Sequence, residues 1–204
     1  MPLPWQETLL FEKFTGLVER RGRTMLSILI ATLPQRESLF LRLIEDLRRQ
    51  SDHRPVEVLV EDSVELSIGE KRNQLMGAAS GDYLCFIDDD DRICENYIDL
   101  LLEAMEAEPD CCSLNGIITF DGEDPKLFKH SIDYLGIYEE EGVYYRPPNH
   151  LNCIRTEIAR RFKFPGLNFG EDADFCMQML NAGALQVEYK IEPVLYYYDY
   201  VSSK

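Results

Sequence analysis

Four carboxylates follow one another at Asp88-Asp89-Asp90-Asp91, directly after the apolar run from Tyr83 to Ile87. Like charges this close repel one another unless a divalent cation or hydrogen bonds offset them, so the run reads as a set of hard oxygen ligands for a metal. The plainer reading is an acidic loop entering a helix N-terminus, where the dipole favours carboxylates. Position at the end of an apolar strand weighs towards the metal. A calcium loop of the EF-hand type starting at Asp88 is excluded, because its sixth position demands glycine and is Ile93 here. A phosphatase that forms an aspartyl phosphate also carries Asp-x-Asp after a strand, yet needs a threonine soon afterwards, where this chain has Arg92 and Ile93.

Three further groups have chemistry to offer. Lys71 and Arg72 fall in the first turn of an expected helix, where they oppose the macrodipole unless an anion such as a diphosphate binds there. The alternative is that both pair with surface carboxylates. Glu171-Asp172 follows Gly170 and opens a late helix, either as an acidic first turn or as a pair able to take a proton. His150, in Pro148-Asn149-His150-Leu151-Asn152, is a candidate contact for donor, acceptor or metal, although a lone histidine is more often an ordinary surface or core residue.

The elements that must position these groups are legible from composition and periodicity. At 204 residues, 45% apolar and 28% charged, the chain is the size of one globular domain and unlike a disordered one. Its 37 acidic against 21 basic side chains give a net charge of -16, which excludes nucleic acid as a partner. The six cysteines show no C-x-x-C spacing and read as reduced core thiols. The N-terminus lacks a signal-peptide pattern, and no run approaches the roughly 18 to 20 apolar residues of a membrane span, so a cytoplasmic location is expected. Arg20, Arg21 and Arg23 would allow peripheral membrane contact, or simply end a solvated helix.

Leu10, Phe14, Leu17 and Val18 predict an amphipathic helix over residues 7 to 19. From Met25 onward strands and helices alternate, which predicts an α/β domain with a mainly parallel sheet. Leu26 to Ala31 reads as a strand, Leu39 to Leu47 as a helical stripe, and Val56 to Val60 as a second strand ending near Asp62. Ser67-Ile68-Gly69-Glu70 is a capping box that starts the next helix. Tyr83 to Ile87 is then a strand, and Tyr97 to Met105 a helix. Ligands of open α/β sheets lie outside the carboxyl ends of the strands, so Thr32, Asp62 and Asp88 are expected at one crevice. The second half is less regular, with strands at 113 to 119 and 142 to 146, a turn at Asp121-Gly122, and a loop into a helix over 168 to 183.

Five pieces in this order resemble the family-2 glycosyltransferases of the GT-A fold, over roughly residues 25 to 200. They are the opening strand and loop Leu26 to Arg36, the acid-ended strand Val60-Glu61-Asp62, the helix segment Ile68 to Asn73, and Phe86-Ile87-Asp88-Asp89-Asp90-Asp91 as the D-x-D motif. Phe169-Gly170-Glu171-Asp172 completes the set. The resemblance implies a single Rossmann-like GT-A domain over 25–204, preceded by a helical extension over 1–24. Residues 25–110 would bind the nucleotide sugar and 111–204 the acceptor.

It further implies a metal-dependent, inverting, hexosyltransferase-type enzyme that uses a nucleotide-diphosphate sugar and a carbohydrate or glycolipid hydroxyl. Donor contacts would come from Thr32, Pro34, Arg36, Asp62, Lys71, Arg72, Asn73, Asp88 and Asp89, and the diphosphate would lie at the N-terminus of the helix bearing Lys71. Asp88 and Asp90 would hold manganese or magnesium. Asp172 would be the general base, Glu171 would orient the acceptor, and His150 and Asn152 would line the sugar pocket. Many relatives have a metal-binding histidine near the C-terminus; this chain has Leu195-Tyr196-Tyr197-Tyr198-Asp199-Tyr200 there, so Asp199, His150 or water would complete the metal's ligands, and the tyrosines would stack on sugar rings. A sugar-nucleotide-binding module without turnover, or a metal-dependent phosphatase or nucleotidyltransferase, would use the same carboxylates.

Overall fold

The computed structural model describes residues 14–15 and 25–201. Strands are β1 (Phe14–Thr15), β2 (Leu26–Ala31), β3 (Val56–Glu61), β4 (Tyr83–Phe86), β5 (Arg92–Ile93), β6 (Cys111–Cys112), β7 (Leu114–Phe120), β8 (Glu123–His130), β9 (Tyr138–Glu140), β10 (Val143–Arg146), β11 (Ile154–Arg155), β12 (Glu188–Tyr189) and β13 (Val194–Tyr200). Helices are α1 (Glu37–Ser51), α2 (Ile68–Ala78), α3 (Tyr97–Met105), α4 (Thr156–Ala159) and α5 (Glu171–Asn181).

The first sheet has the order β1-β3-β2-β4-β11-β6-β12. Its centre is parallel: Leu26 to Ala31 runs beside Val56 to Glu61, and Leu26 to Leu29 beside Tyr83 to Phe86. Every residue of these three strands is buried, which is why they read as unbroken apolar runs rather than alternating ones. Alternate side chains serve opposite layers. Ile28, Ile30 and Val58 pack with Leu43, Ile44 and Leu47 of α1 and with Ile98 and Leu101 of α3. Leu29 and Leu59 pack with Leu75 and Met76 of α2 and Phe175 and Met179 of α5. Polar insertions in this core are paired: buried Glu57 accepts from the hydroxyls of Ser27 (2.6 Å) and Ser80 (2.8 Å).

The sheet is less parallel than expected at its margins. β11 lies antiparallel to both β4 and β6 and brings residues 154–155 of the second half into the first sheet, so the two halves interlock. The expected helix over 7 to 19 falls mostly outside the described residues; the described part, Phe14–Thr15, is a strand antiparallel to β3.

A second sheet, ordered β5-β13-β7-β8-β10-β9, was not anticipated. Its hairpin β7–β8 turns at Asp121 and Gly122, both with positive φ (52° and 79°). β8 begins Glu-Asp-Pro-Lys and starts exposed, so it reads as a loop; its tie to β7 is supplied by the turn rather than by apolar alternation. The tyrosine-rich tail is β13, running beside β7 and against β5, the two residues that follow the acidic run. Five cysteines are buried and Cys94 is half-buried, none in a disulfide. No helix among the described residues is long and apolar enough to cross a membrane.

Candidate active site

The acidic run leaves β4 where β2 and β3 also end, and the expected convergence is present. The Thr32 hydroxyl donates to Asp89 Oδ2 (2.6 Å), and Lys71 Nζ donates to the Thr32 carbonyl (2.6 Å). Pro34 opens a short 3-10 turn that places Arg36 against Asp89 (2.9 Å) and Asp90 (2.7 Å). Lys71 faces Glu61, Asp62 and Asp89; burial lowers its pKa, and those three carboxylates partly restore it. Asp62 is raised by its own burial and by Glu61.

Why the cations of α2 point inward follows from how the helix starts. The capping box forms: Ser67 Oγ accepts from the Glu70 amide, and the Glu70 carboxylate accepts from the Ser67 amide (2.8 Å). The Ile68 amide donates to Asn168 Oδ1 (3.0 Å) and the Gly69 amide to the Leu167 carbonyl (3.0 Å). The Lys71 amide is taken by the Ser67 carbonyl (3.0 Å). All four orphan amides of the first turn are therefore used. This corrects the expectation of a diphosphate at that N-terminus: the loop before α5 covers it. Lys71 and Arg72 do not pair with surface carboxylates either; both are buried and serve the site from beneath.

Arg72 is the hub. Its Nη2 donates to Asp88 Oδ1 (2.8 Å) and its Nη1 to Glu171 Oε1, while the guanidinium lies 5.8 Å from the Phe86 ring centroid and 5.7 Å from that of Phe164. Asp88 Oδ2 is 3.5 Å from His150 Nε2. Burial acts to raise Asp88, but the Arg72 charge and His150 outweigh it and hold the carboxyl far below its usual range. Glu171 is raised, chiefly by burial against the pull of Arg72. His150 is lowered by burial and by Arg72.

On the far side Asp172 receives Arg146 Nη2 (3.2 Å) and Asn149 Nδ2 (3.5 Å), both on Oδ2. Burial raises Asp172, yet His150, Arg146 and Arg72 together bring it below the usual carboxylate value. These groups line a cavity of about 470 Å³. Its charged floor is Arg72, Asp88, Asp91, Arg146, Glu171 and Asp172, and its wall is the second sheet, through Ile118, Tyr144, Tyr145 and Tyr198.

Several expected residues do other work. Asn73 exchanges hydrogen bonds with the Phe164 main chain (2.8 and 3.0 Å), clamping α2 to the loop after α4. Asn152 is fully buried; its amide holds the Cys112 carbonyl (2.9 Å), the Asn149 amide (3.0 Å) and His130 (3.0 Å), so it shapes the turn rather than lining the cavity. Asp199 accepts from Thr119 (2.7 Å) and the Gly122 amide (2.8 Å) and fastens the β7–β8 hairpin instead of offering itself to a metal. Of the tail tyrosines only Tyr198 lines the cavity; the Tyr196 hydroxyl instead accepts from the Asp88 amide (3.1 Å). Sequence reasoning missed Arg146, Tyr144 and Tyr145, since a lone arginine before Pro147 and an exposed-looking Tyr-Tyr pair carry no spacing signal.

No cluster of three or more His, Cys, Asp or Glu among the described residues is arranged to hold a metal. A hard divalent ion bound mostly through substrate phosphates needs only one or two carboxylates from the protein; Asp88 lines the cavity, whereas Asp90, paired with Arg36 (2.7 Å), lines a neighbouring one.

The structure is similar to that of TarS from S. aureus. A crystal structure of TarS 1-349 in complex with UDP matches with a TM-score of 0.61 and 15% identity, covering 86% of this chain and 60% of that one. The same fragment with UDP-GlcNAc gives 0.57 and 13%, covering 86% and 58%. At such identities the likeness shows the fold, a single GT-A-type α/β domain. A curated relative, cytoplasmic envelopment protein 3 of human herpesvirus 1 (strain 17), is 40% identical over 58 residues, 28% of this chain and 60% of that protein, too short a stretch to define a family. The chain thus spans about 60% of the length of these relatives. The family described as glycosyl transferase family 2 matches residues 63–165, just over half of the sequence. That span runs from α2 with Lys71 and Arg72, through the acidic run, to Arg146 at the end of β10 and the turn that bears His150, and on this match the chain belongs to glycosyl transferase family 2.

Proposed function

We propose that this chain moves a hexosyl group from a nucleotide-diphosphate sugar to a hydroxyl of a carbohydrate or glycolipid acceptor, with inversion at the anomeric carbon and with the help of manganese or magnesium. One observation carries the reading: Arg72 ties Asp88, the first acid of the D-x-D motif, to Glu171, the partner of Asp172, across one cavity. Transfer needs charge neutralised on the departing diphosphate and a proton removed from the attacking hydroxyl, and the two carboxylate groups stand where both needs can be met. Asp88 and Asp90 would hold the cation, which as a Lewis acid would stabilise the leaving diphosphate. Arg36 and Lys71 bring positive charge to the same crevice, with Thr32, Asp62 and Asp89 as neighbours of the nucleotide.

Asp172 accepts the proton as the hydroxyl attacks. Its low pKa keeps it ionised and makes it a weak base, so proton removal accompanies attack rather than preceding it. Glu171, held by Arg72, orients the acceptor, and the tyrosine wall offers faces for sugar rings. The reduced thiols are in keeping with a cytoplasmic site of action. The test is product analysis with a panel of nucleotide sugars, with and without manganese. Free nucleoside diphosphate that appears only with acceptor present supports transfer; release of phosphate or pyrophosphate sinks it.

A further inference from the structure

Two donors on Asp172 have no part in the reading above, and the fold pins both. Arg146 ends β10, where it is opposite His130 of β8, and its carbonyl accepts from the Ser131 amide (3.2 Å). Asn149 is 1% exposed, and its Oδ1 accepts from the Leu151 amide (3.1 Å). With that oxygen engaged, the amide can present only Nδ2 to Asp172. Arg146 and Asn149 therefore converge on a single oxygen, Oδ2, no side chain among the described residues donates to Oδ1, and the one main-chain donor to the carboxylate is the adjacent Ala173 amide.

We infer that Arg146, assisted by Asn149, is a positioning residue that locks the Asp172 carboxylate by Oδ2 and so presents Oδ1 to the acceptor hydroxyl. This rests on Asp172 being the base. In the step so arranged, the hydroxyl O–H bond breaks and its proton passes to Oδ1. The oxygen's electron pair forms the bond to the anomeric carbon, and the bond from that carbon to the diphosphate oxygen breaks, the diphosphate leaving with the electrons. A carboxylate free to rotate would spend less time in line with the hydroxyl, and misplacement of about 1 Å costs about a hundredfold in rate. Besides Arg146, the charged and titratable groups facing Asp172 are Glu171 beside it, His130 and His150, Arg72 and Cys176. Arg146 is the cation among them that touches Oδ2 directly.

The experiment is the pH profile of kcat, with KM for donor and acceptor, for the full chain and for Arg146→Gln, Arg146→Lys, Asn149→Ala and Asp172→Asn. Arg146→Gln should lower kcat about ten- to hundredfold with both KM values within about twofold. Its acid limb should move to higher pH, since a cation that favours the ionised carboxylate is gone. Arg146→Lys should keep the limb in place while recovering only part of kcat, because a point charge lacks the planar fork. An unchanged limb in Arg146→Gln, or a raised acceptor KM at unchanged kcat, overturns the inference. If Arg146→Gln does not fold, Asn149→Ala decides: a severalfold fall in kcat at constant KM supports the positioning, and unaltered kcat refutes it. Full activity in Asp172→Asn would instead remove the base assignment beneath it, an outcome separable from the others.

Discussion

Arg72 and Glu171 form a buried ion pair between the second turn of α2 and the first residue of α5, with only 4% and 7% of their side chains exposed. Ninety-nine residues separate them in sequence. Since the same guanidinium also holds Asp88, the donor-side acid and the helix that carries Asp172 have one shared support. The acidic run and the Glu171-Asp172 pair are thus mechanically linked through a single side chain.

Replacing Arg72 should therefore damage stability and activity together. Leaving Glu171 and Asp88 without their cation exposes buried negative charge, and removing one partner of a buried pair costs about 3–5 kcal/mol. Arg72→Lys should recover less than half of that, because an ammonium cannot serve two carboxylates from a planar fork. Urea midpoints of the purified variants measure this; a lysine variant as stable as the parent would show that the fork is not needed.

Gly69 should tolerate no side chain. A Cβ there would meet the Pro165 carbonyl oxygen well inside contact distance, and the Pro165 to Leu167 backbone has nowhere to retreat while Leu167 O holds the Gly69 amide. Gly69→Ala should lower stability by about 1–3 kcal/mol through overpacking and should also disturb the loop leading to Glu171-Asp172. Gly77, which has open space around its Cβ position, is the control: Gly77→Ala lies in the same helix and should be neutral or stabilising. Equal thermal stability of the two alanine variants would contradict this packing.

Much of the first half was legible because its signals are local. Unbroken apolar runs gave β2, β3 and β4, the Ser67–Glu70 box gave the start of α2, and the acidic run marked the end of β4. What stayed hidden depends on contacts between distant segments. Asn73 and Asn152 sit in motif positions but spend their amides on Phe164, Cys112 and Asn149, which no spacing announces. The second sheet is assembled from a charged strand, β8, and a tail, β13, in which Tyr196 joins the core and Tyr198 lines the cavity. Arg146 gains meaning only when β10 lies beside β8 and α5 brings up Asp172.

Asp90→Asn and Asp172→Asn should separate binding from chemistry. A ligand that binds only the folded state raises its stability by RT ln(1 + [L]/Kd). The Asp90 variant should lose the part of a nucleotide sugar's thermal shift that depends on manganese. The Asp172 variant should keep that shift and lose transfer by at least about a hundredfold. Retention of the manganese-dependent shift in Asp90→Asn would remove that carboxylate from the proposed ion site.

The depressed pKa of Asp88 fixes how its contribution varies with pH. Burial opposes ionisation, but Arg72 and His150 overcome it, so the folded-state value lies below the unfolded one of about 3.9. The native state therefore holds on to fewer protons than the unfolded state in this range, and stability from Asp88 is complete above the unfolded value and disappears as pH falls through the folded one. Asp88→Asn should be less stable than the parent at pH 7, with the gap closing as pH drops below about 4. Urea midpoints of the two proteins, compared in steps from pH 7 to the lowest pH at which the parent stays folded, provide the measurement. A gap that stays constant to that limit would mean that the Arg72 charge does not stabilise the ionised Asp88.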